Sequence, residues 1–332
     1  MPASRDHVMT DCLAITGESM ARGVDILAHG GLVAFPTETV YGLGGDACNA
    51  DAVAAIFAAK ERPAFNPLIS HVASAEAAFE LGTSTPIAAC LADTFWPGPM
   101  TLILTRQPDC PIALLTSAGL NKIALRVPSH AEARGLLEAF GRPVAAPSAN
   151  PSGRISPTRA DHVMAGLGGR IELVLDGGPC ESGVESTVVD CTGDTARILR
   201  PGGITREAVA ATLAGRGITL AGESPPTGED APTSPGQLAS HYAPLAPVRL
   251  NVTAPETGIE LIGFGETGGA GELGLNLSPE GDLQEAAANL FQMMHAADAA
   301  GADVIGVAPV PESGLGEAVN DRLRRAAAPR KL

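Results

Sequence analysis

Six short segments between Phe35 and Gly203 place hydroxyls, cations and exposed main-chain amides where the chain must turn. They are FPTETVYGLG (35–44), AKERPAFNPLISH (59–71), KIALRVPSH (122–130), APSANPSGRISPT (146–158), ESTVVD (185–190) and ILRPGG (198–203). Lys60 and Arg62 end a helix that Pro63 stops, so a point charge and a planar fork can converge on phosphate oxygens. Ser148, Asn150 and Ser152 stand in a Pro/Gly-rich turn after a buried strand, a pattern that fans out amides and hydroxyls around an anion. Thr37, Glu38, Thr39 and Tyr41 follow a strand at its C-terminal end, where α/β folds place ligands. His71 closes another apolar strand. Arg126 is flanked by apolar residues and therefore needs an anion, either an internal carboxylate such as Glu185 or Asp190 or the carboxylate of a substrate. Together these groups suit a nucleoside triphosphate beside a small polar co-substrate.

Several chemistries are excluded. There is no GxxxxGK[ST], so the turn is not a P-loop, and GGDAC is not GxGxxG. Ser148 lacks the GxSxG elbow of a hydrolase nucleophile. The six cysteines form no CxxC pair and have no zinc spacing. A net charge of −15 argues against strong direct nucleic-acid binding. Cations nonetheless concentrate locally. Lys60, Lys122 and Lys331 are the only lysines, and two of them fall in the segments above, as do Arg62, Arg126 and Arg154.

The elements that must position these groups read as α/β. Helices are expected over 18–29, 50–60 (capped by Asn49 or Asp51), 282–300 and 314–328. Three more should begin at a Ser129–Glu132 capping box, at Thr158 and at Thr205. Strands are expected at 31–35, 67–72, 100–105, 122–127, 143–146, 172–176, 186–190 and 196–199. The alternation breaks down after 170, which predicts a mixed sheet. Residues 12–215 form a catalytic domain. A Pro/Gly/Ser/Thr-rich stretch, 216–246, makes a structured linker or lid, and 247–330 form a small Rossmann-like α/β domain. No apolar run is long enough to span a bilayer and no signal peptide is visible, so a cytoplasmic location is expected.

These motifs, in this order, closely resemble the YrdC-like threonylcarbamoyl-AMP synthase family, in the long form with a C-terminal extra domain. The resemblance runs from about residue 15 to the C-terminus and implies a YrdC-like twisted mixed sheet. It further implies ATP-dependent joining of L-threonine and bicarbonate or CO2 into threonylcarbamoyl-AMP, with release of pyrophosphate. A separate transferase complex would then modify tRNA. By motif, Lys60, Arg62, Ser148 and Asn150 would grip the triphosphate. Asn66, Lys122, Ser156, Arg200 and Tyr242 would contact the rest of ATP. Thr39, His71, Arg126, the Ala146 backbone and Ser186 would hold threonine, and Mg2+ would arrive on the ATP phosphates. Three positions depart from the pattern: Lys122 replaces a small hydroxyl residue, Glu61 a glycine, and Ser240 a basic residue. The competing readings are an RNA-binding module on the same cationic face and a carbamoyl-adenylate-forming enzyme.

Overall fold

The computed structural model describes residues 8–63, 65–222, 241–266 and 271–329. The larger unit opens with β1 (Asp11–Ala14), α1 (Gly17–Ala28), β2 (Val33–Phe35), β3 (Gly42–Asp46), α2 (Ala50–Lys60) and β4 (Ile69–His71). It continues through α3 (Ala75–Leu81), α4 (Pro86–Phe95), β5 (Met100–Thr105), β6 (Lys122–Arg126), α5 (Ala131–Phe140) and β7 (Val144–Ala145). The remainder is α6 (Ala160–Leu167), β8 (Leu173–Asp176), β9 (Thr187–Asp190), β10 (Arg197–Arg200) and α7 (Arg206–Ala214). Beyond 240 come β11 (Val248–Leu250), β12 (Ile259–Ile262), α8 (Leu283–Ala299), β13 (Val304–Val307) and α9 (Leu315–Ala327).

Ten strands make one mixed sheet in the order β1-β8-β2-β3-β7-β4-β6-β5-β9-β10. This is the mixed α/β sheet expected from the sequence. The second unit is a parallel three-stranded sheet, β11-β13-β12, with two helices. Parallel strands covered by helices are how such a unit buries both faces. Among the described residues, no helix is long and apolar enough to cross a membrane.

Most expected elements are present, with ends trimmed by one or two residues. Asn49 caps α2 by accepting from the Asp51 and Ala52 amides, and Thr205 caps α7 by accepting from Ala208. Two expected caps are corrected. Helix α5 starts one residue later than the Ser129–Glu132 box requires: His130 occupies the cap without a side-chain bond, so Glu132 is the second helical residue rather than the third. Arg159, not Thr158, precedes α6. A capping box does form at Thr16 and Ser19.

The glycine-rich strand β3 has no apolar alternation to announce it. It exists because the sheet is crowded there: a Cβ on Gly44 would lie 2.7 Å from the Phe35 ring and 2.9 Å from Val144. The two units share a core, in which Val40, Ile155, Val184 and Tyr242 pack with Phe291, Met294 and Val319. Gly183, at φ +68°, approaches α8 so closely that a Cβ would fall 2.3 Å from the Ala287 carbonyl oxygen.

Candidate active site

The site has two poles. At the first, α2 delivers Lys60 at its C-terminus, where the helix dipole favours a cation. Lys60 is 1% exposed, and its Nζ donates to the carbonyls of Ser148 (2.5 Å) and Asn150. An ammonium has three donors. Two fold the 148–150 turn around the lysine, and the third remains for a ligand. Burial, followed by the neighbouring Arg62, holds the Lys60 pKa well below its ordinary value. An anion bound beside it relieves both effects.

Glu61 follows in the left-handed region at φ 53°, the conformation glycine adopts most easily, and its side chain turns outward to Arg170 at 2.7 Å. It does not come between the two cations. Arg62 donates from Nε to Asn66 O (3.2 Å) and from Nη2 to Pro67 O (3.0 Å). Burial lowers its pKa to about 10, with Tyr242 and Arg200 close enough to act on it. Arg200, at the end of β10, donates to the Ser186 carbonyl (2.9 Å) and hydroxyl (3.2 Å). Ser186 also shares a hydrogen bond with Thr101 at 2.7 Å.

Tyr242 closes this pole from the second unit. It is 1% exposed, stacks on Phe291 of α8 at 5.5 Å, and sits at φ +62°. A bulky residue in that conformation is strained by roughly 1–2 kcal/mol, a cost that persists only where the surroundings enforce it. Of the lid expected over 234–244, residues 234–240 lie outside the described residues.

At the second pole, the parallel register of β4 and β6 pairs His71 with Arg126, so both side chains leave the sheet on one face. Arg126 lies 2.7 Å from Glu38, with both side chains under a tenth exposed. Its partner is thus neither Glu185 nor Asp190. Burial pulls the Glu38 pKa upward, but Arg126 outweighs it, and the carboxyl sits below its ordinary value. His71 is driven down to about 3 by burial and by Arg126, so its ring is neutral. Thr39, fully buried, shares a hydrogen bond with Thr37 at 2.8 Å. The Ala146 amide donates to Ile69 O at 2.9 Å, which ties the turn carrying Ser148 and Asn150 to this pole.

Buried polar atoms without hydrogen-bond partners recur at these residues. They include Asn66 Oδ1 and Nδ2, His71 Nδ1, Asn150 Oδ1 and Arg126 Nε. Buried polar groups are nearly always satisfied, so several orphans beside buried cations describe a site shaped for a polar, anionic ligand.

Two predicted residues stand apart from the open donors. Lys122 begins β6, roughly 13 Å along the strand from Arg126 at about 3.3 Å per residue. It pairs with Asp190 at 2.9 Å and lines a shallow groove with Pro67, Leu68 and Leu120. Ser156 is fully buried and donates to Glu185 Oε1 at 2.5 Å. The surface arginines Arg142, Arg154 and Arg159 do not join the poles: Arg142 and Arg159 pair with Asp46 and Asp161, and Arg154 reaches the Pro244 carbonyl.

Sequence reasoning missed two charged residues. Glu38 was read only as one of a group of polar residues after a strand. Arg322 on α9 was not singled out, although Ala318, Val319, Leu323 and Ala326 mark a buried stripe in which it is the one charged member. A cation in an apolar helical stripe was the available signal. Among the described residues, no group of three His, Cys, Asp or Glu side chains gathers as a metal cage.

With this geometry in view, the chain can be compared with known proteins. Residues 25–202 match the Sua5_yciO_yrdC family, described as telomere recombination, and residues 204–328 match the threonylcarbamoyl-AMP synthase C-terminal domain. A threonylcarbamoyl-AMP synthase of Bacillus subtilis (strain 168) is 39% identical, with 98% of this chain and 97% of that protein covered. One from Pyrococcus abyssi (strain GE5 / Orsay) is 43% identical, covering 90% and 91%. The crystal structure of P. abyssi Sua5 complexed with L-threonine superposes with a TM-score of 0.83 at 38% identity, over 96% of this chain and 97% of that one. The chain therefore belongs to the Sua5/YciO/YrdC family and carries the C-terminal domain of its longer members.

Proposed function

We propose that this chain is a threonylcarbamoyl-AMP synthase: it joins L-threonine, CO2 or bicarbonate, and ATP into threonylcarbamoyl-AMP and pyrophosphate. The observation that carries this reading is the pairing of the two poles. One gathers Lys60, Arg62 and Arg200 around unsatisfied Asn66 and Asn150. The other sets Arg126, His71 and Thr39 a short loop away. The relatives named threonylcarbamoyl-AMP synthase, and the solved relative with L-threonine bound, support it.

The chemistry follows from charge. Threonine's amine, once deprotonated, adds to CO2 and gives a carbamate with loss of a proton. A carbamate oxygen then attacks the α-phosphorus in line and the bond to pyrophosphate breaks. Two anions must meet, so catalysis is chiefly positioning and electrostatic stabilisation. The third Lys60 donor, the Arg62 fork and the Ser148 hydroxyl take the phosphate oxygens, while Asn66 and Asn150 offer their open amide atoms. Arg126 exchanges Glu38 for the threonine carboxylate. The neutral His71 ring and Thr39 meet the threonine hydroxyl and amine, and Ser186, held by Arg200, stands between the two substrates. Mg2+ neutralises phosphate charge when it enters on ATP. The donors here are cations, amides and hydroxyls, which fit a phosphate-borne ion rather than a carboxylate-held one.

The mixed anhydride is labile to water, which gives the buried Tyr242 a purpose. Its consumer is a threonylcarbamoyl-transferring complex acting on tRNA in the cytoplasm, and this chain itself holds no tRNA tightly. The test is chromatography of a reaction with labelled threonine, ATP and bicarbonate. Pyrophosphate and a threonine-labelled adenylate should appear together, and only with all three substrates. Turnover of carbamoyl phosphate instead of threonine plus bicarbonate would refute the assignment.

A further inference from the structure

Arg322 belongs to the last helix, α9, yet its guanidinium lies inside the interface with the larger unit at 0% exposure. Nε donates to Glu185 Oε2 at 2.9 Å. Nη1 donates to the Pro201 carbonyl at 2.6 Å and to Asp321 Oδ2 at 2.9 Å. Glu185 passes the contact on, because its other oxygen accepts from Ser156 at 2.5 Å. The Arg322 guanidinium carbon also stands over the Tyr242 ring, 5.5 Å from its centre, and that ring stacks on Phe291 as well. One side chain thus touches or governs Ser156, Glu185, Pro201 beside Arg200, and Tyr242. Ser156, Arg200 and Tyr242 are positions that the family resemblance assigns to ATP.

Holding two units together does not require this. Removing two charges from water costs several kcal/mol per ion, and apolar residues of equal volume usually hold a buried interface as well or better. The shared core around Phe291 and Met294 already does so. A fully buried arginine that donates to two segments of the larger unit, Glu185 and Pro201, as well as to Asp321 of its own helix, fixes their geometry. Arg322 also bears on the charge of its neighbours: burial alone would push the Glu185 carboxyl up, and Arg322 followed by Arg200 brings it below its ordinary value. Glu185 therefore stays an anion, and the Ser156 hydroxyl is locked as a donor toward it.

We propose that Arg322 is a positioning residue of the ATP site, supplied in cis by the C-terminal unit: through Glu185 it sets Ser156, and through its guanidinium over the tyrosine ring it sets Tyr242. The nucleotide pocket is complete only when α9 is docked. The proposal rests on the adenylating reading above and on the contacts with ATP that the family resemblance implies for Ser156 and Tyr242.

The test uses the full chain and two readouts. Binding of α,β-methylene-ATP, which cannot react at the α-phosphorus, is measured by calorimetry, and pyrophosphate release gives KM for ATP and threonine separately. Arg322→Met keeps the volume and removes the charge. It should weaken analogue binding and raise the ATP KM roughly ten- to a hundredfold, as for loss of charge-assisted hydrogen bonds, with the threonine KM within about twofold. Arg322→Lys should recover part of the loss. Arg322→Met with Glu185→Leu should regain thermal stability without regaining ATP affinity. If Arg322→Met does not fold, Glu185→Gln serves: it keeps the shape, turns the Ser156 bond around, and should raise the ATP KM alone. Variants that lose stability while keeping wild-type analogue binding and ATP KM would reduce Arg322 to a structural contact and overturn the proposal. A wild-type chain that binds the analogue but shows no threonine-dependent pyrophosphate release would instead refute the adenylating reading.

Discussion

Replacing Arg126 by glutamine strands a buried carboxylate, so two consequences of that change must be separated. Glu38 and Arg126 lie 2.7 Å apart with side chains 7% and 5% exposed. Charge centres about 4 Å apart attract by about 4 kcal/mol at an effective dielectric of about 20. Removing one partner of such a buried pair typically costs about 3–5 kcal/mol, because the other charge remains desolvated. Arg126→Gln alone should thus lower the unfolding midpoint by roughly 6–10 °C, at about 2 °C per kcal/mol for a chain this large. Adding Glu38→Gln removes the stranded charge and should restore most of that loss. Threonine binding should not return with it. A guanidinium–carboxylate contact contributes about 1.5–3 kcal/mol, so the double variant should bind threonine roughly 10- to 150-fold more weakly. Calorimetric titration with threonine, beside thermal unfolding of the same samples, reads both quantities. A double variant that regained stability and bound threonine like the wild type would refute the assignment of Arg126 to the threonine carboxylate.

Lys60→Ala and Arg62→Ala should each lower the rate of pyrophosphate release by roughly 10²–10³, the scale for removing one preorganised donor from a reacting centre, while threonine affinity in the absence of ATP is nearly unchanged. Gly183→Ala places a methyl 2.3 Å from the Ala287 carbonyl at a positive φ. It should destabilise the docked C-terminal unit by about 2–4 kcal/mol, read as faster proteolysis near α8 and a lower midpoint. The stacked rings of His162 and His295 join α6 to α8 at 3.9 Å. Burial and His295 hold His162 at about 4, against 6.5 unperturbed, with Asp161 and Arg159 as its nearest charges. Its proton is therefore bound more by the unfolded chain between those two values. Stability should fall as pH drops from about 6.5 to 4, by at most about 3 kcal/mol from this residue, and a pH series of unfolding midpoints for His162→Asn should be correspondingly flatter. The lowered Glu38 and Glu185 carboxyls add their own loss only below the ordinary carboxylate range, as pH falls through their folded values.

The chemistry-bearing loops were legible because Pro, Gly and Ser punctuate short apolar strands, and the residues between such strands have few places to go. Lys60, Arg62, Ser148 and Asn150 do gather, the first holding the carbonyls of the last two. Charge partners were not legible. Arg126 could have met Glu38, Glu185 or Asp190. The choice depends on β4, β6 and the loop after β2 coming together across the sheet, information that no local pattern holds. Glu185 instead serves Arg322, 137 residues away, and Asp190 serves Lys122. Strand β3 was invisible because Gly42, Gly44 and Gly45 carry no β propensity; steric crowding in the sheet decides it. The Ser129–Glu132 signal gave way to tertiary context, since the Ser129 amide lies beside the Glu38 carboxylate rather than serving the helix.

The most direct measurement is a crystal structure of the chain with L-threonine and α,β-methylene-ATP. The phosphate tail is predicted to lie among Lys60, Arg62, Ser148 and Asn150, with the threonine carboxylate on Arg126 and its amine turned toward the α-phosphorus. A nucleotide seated elsewhere, with Arg126 still paired to Glu38 and Asn66 and Asn150 still unsatisfied, would contradict the account.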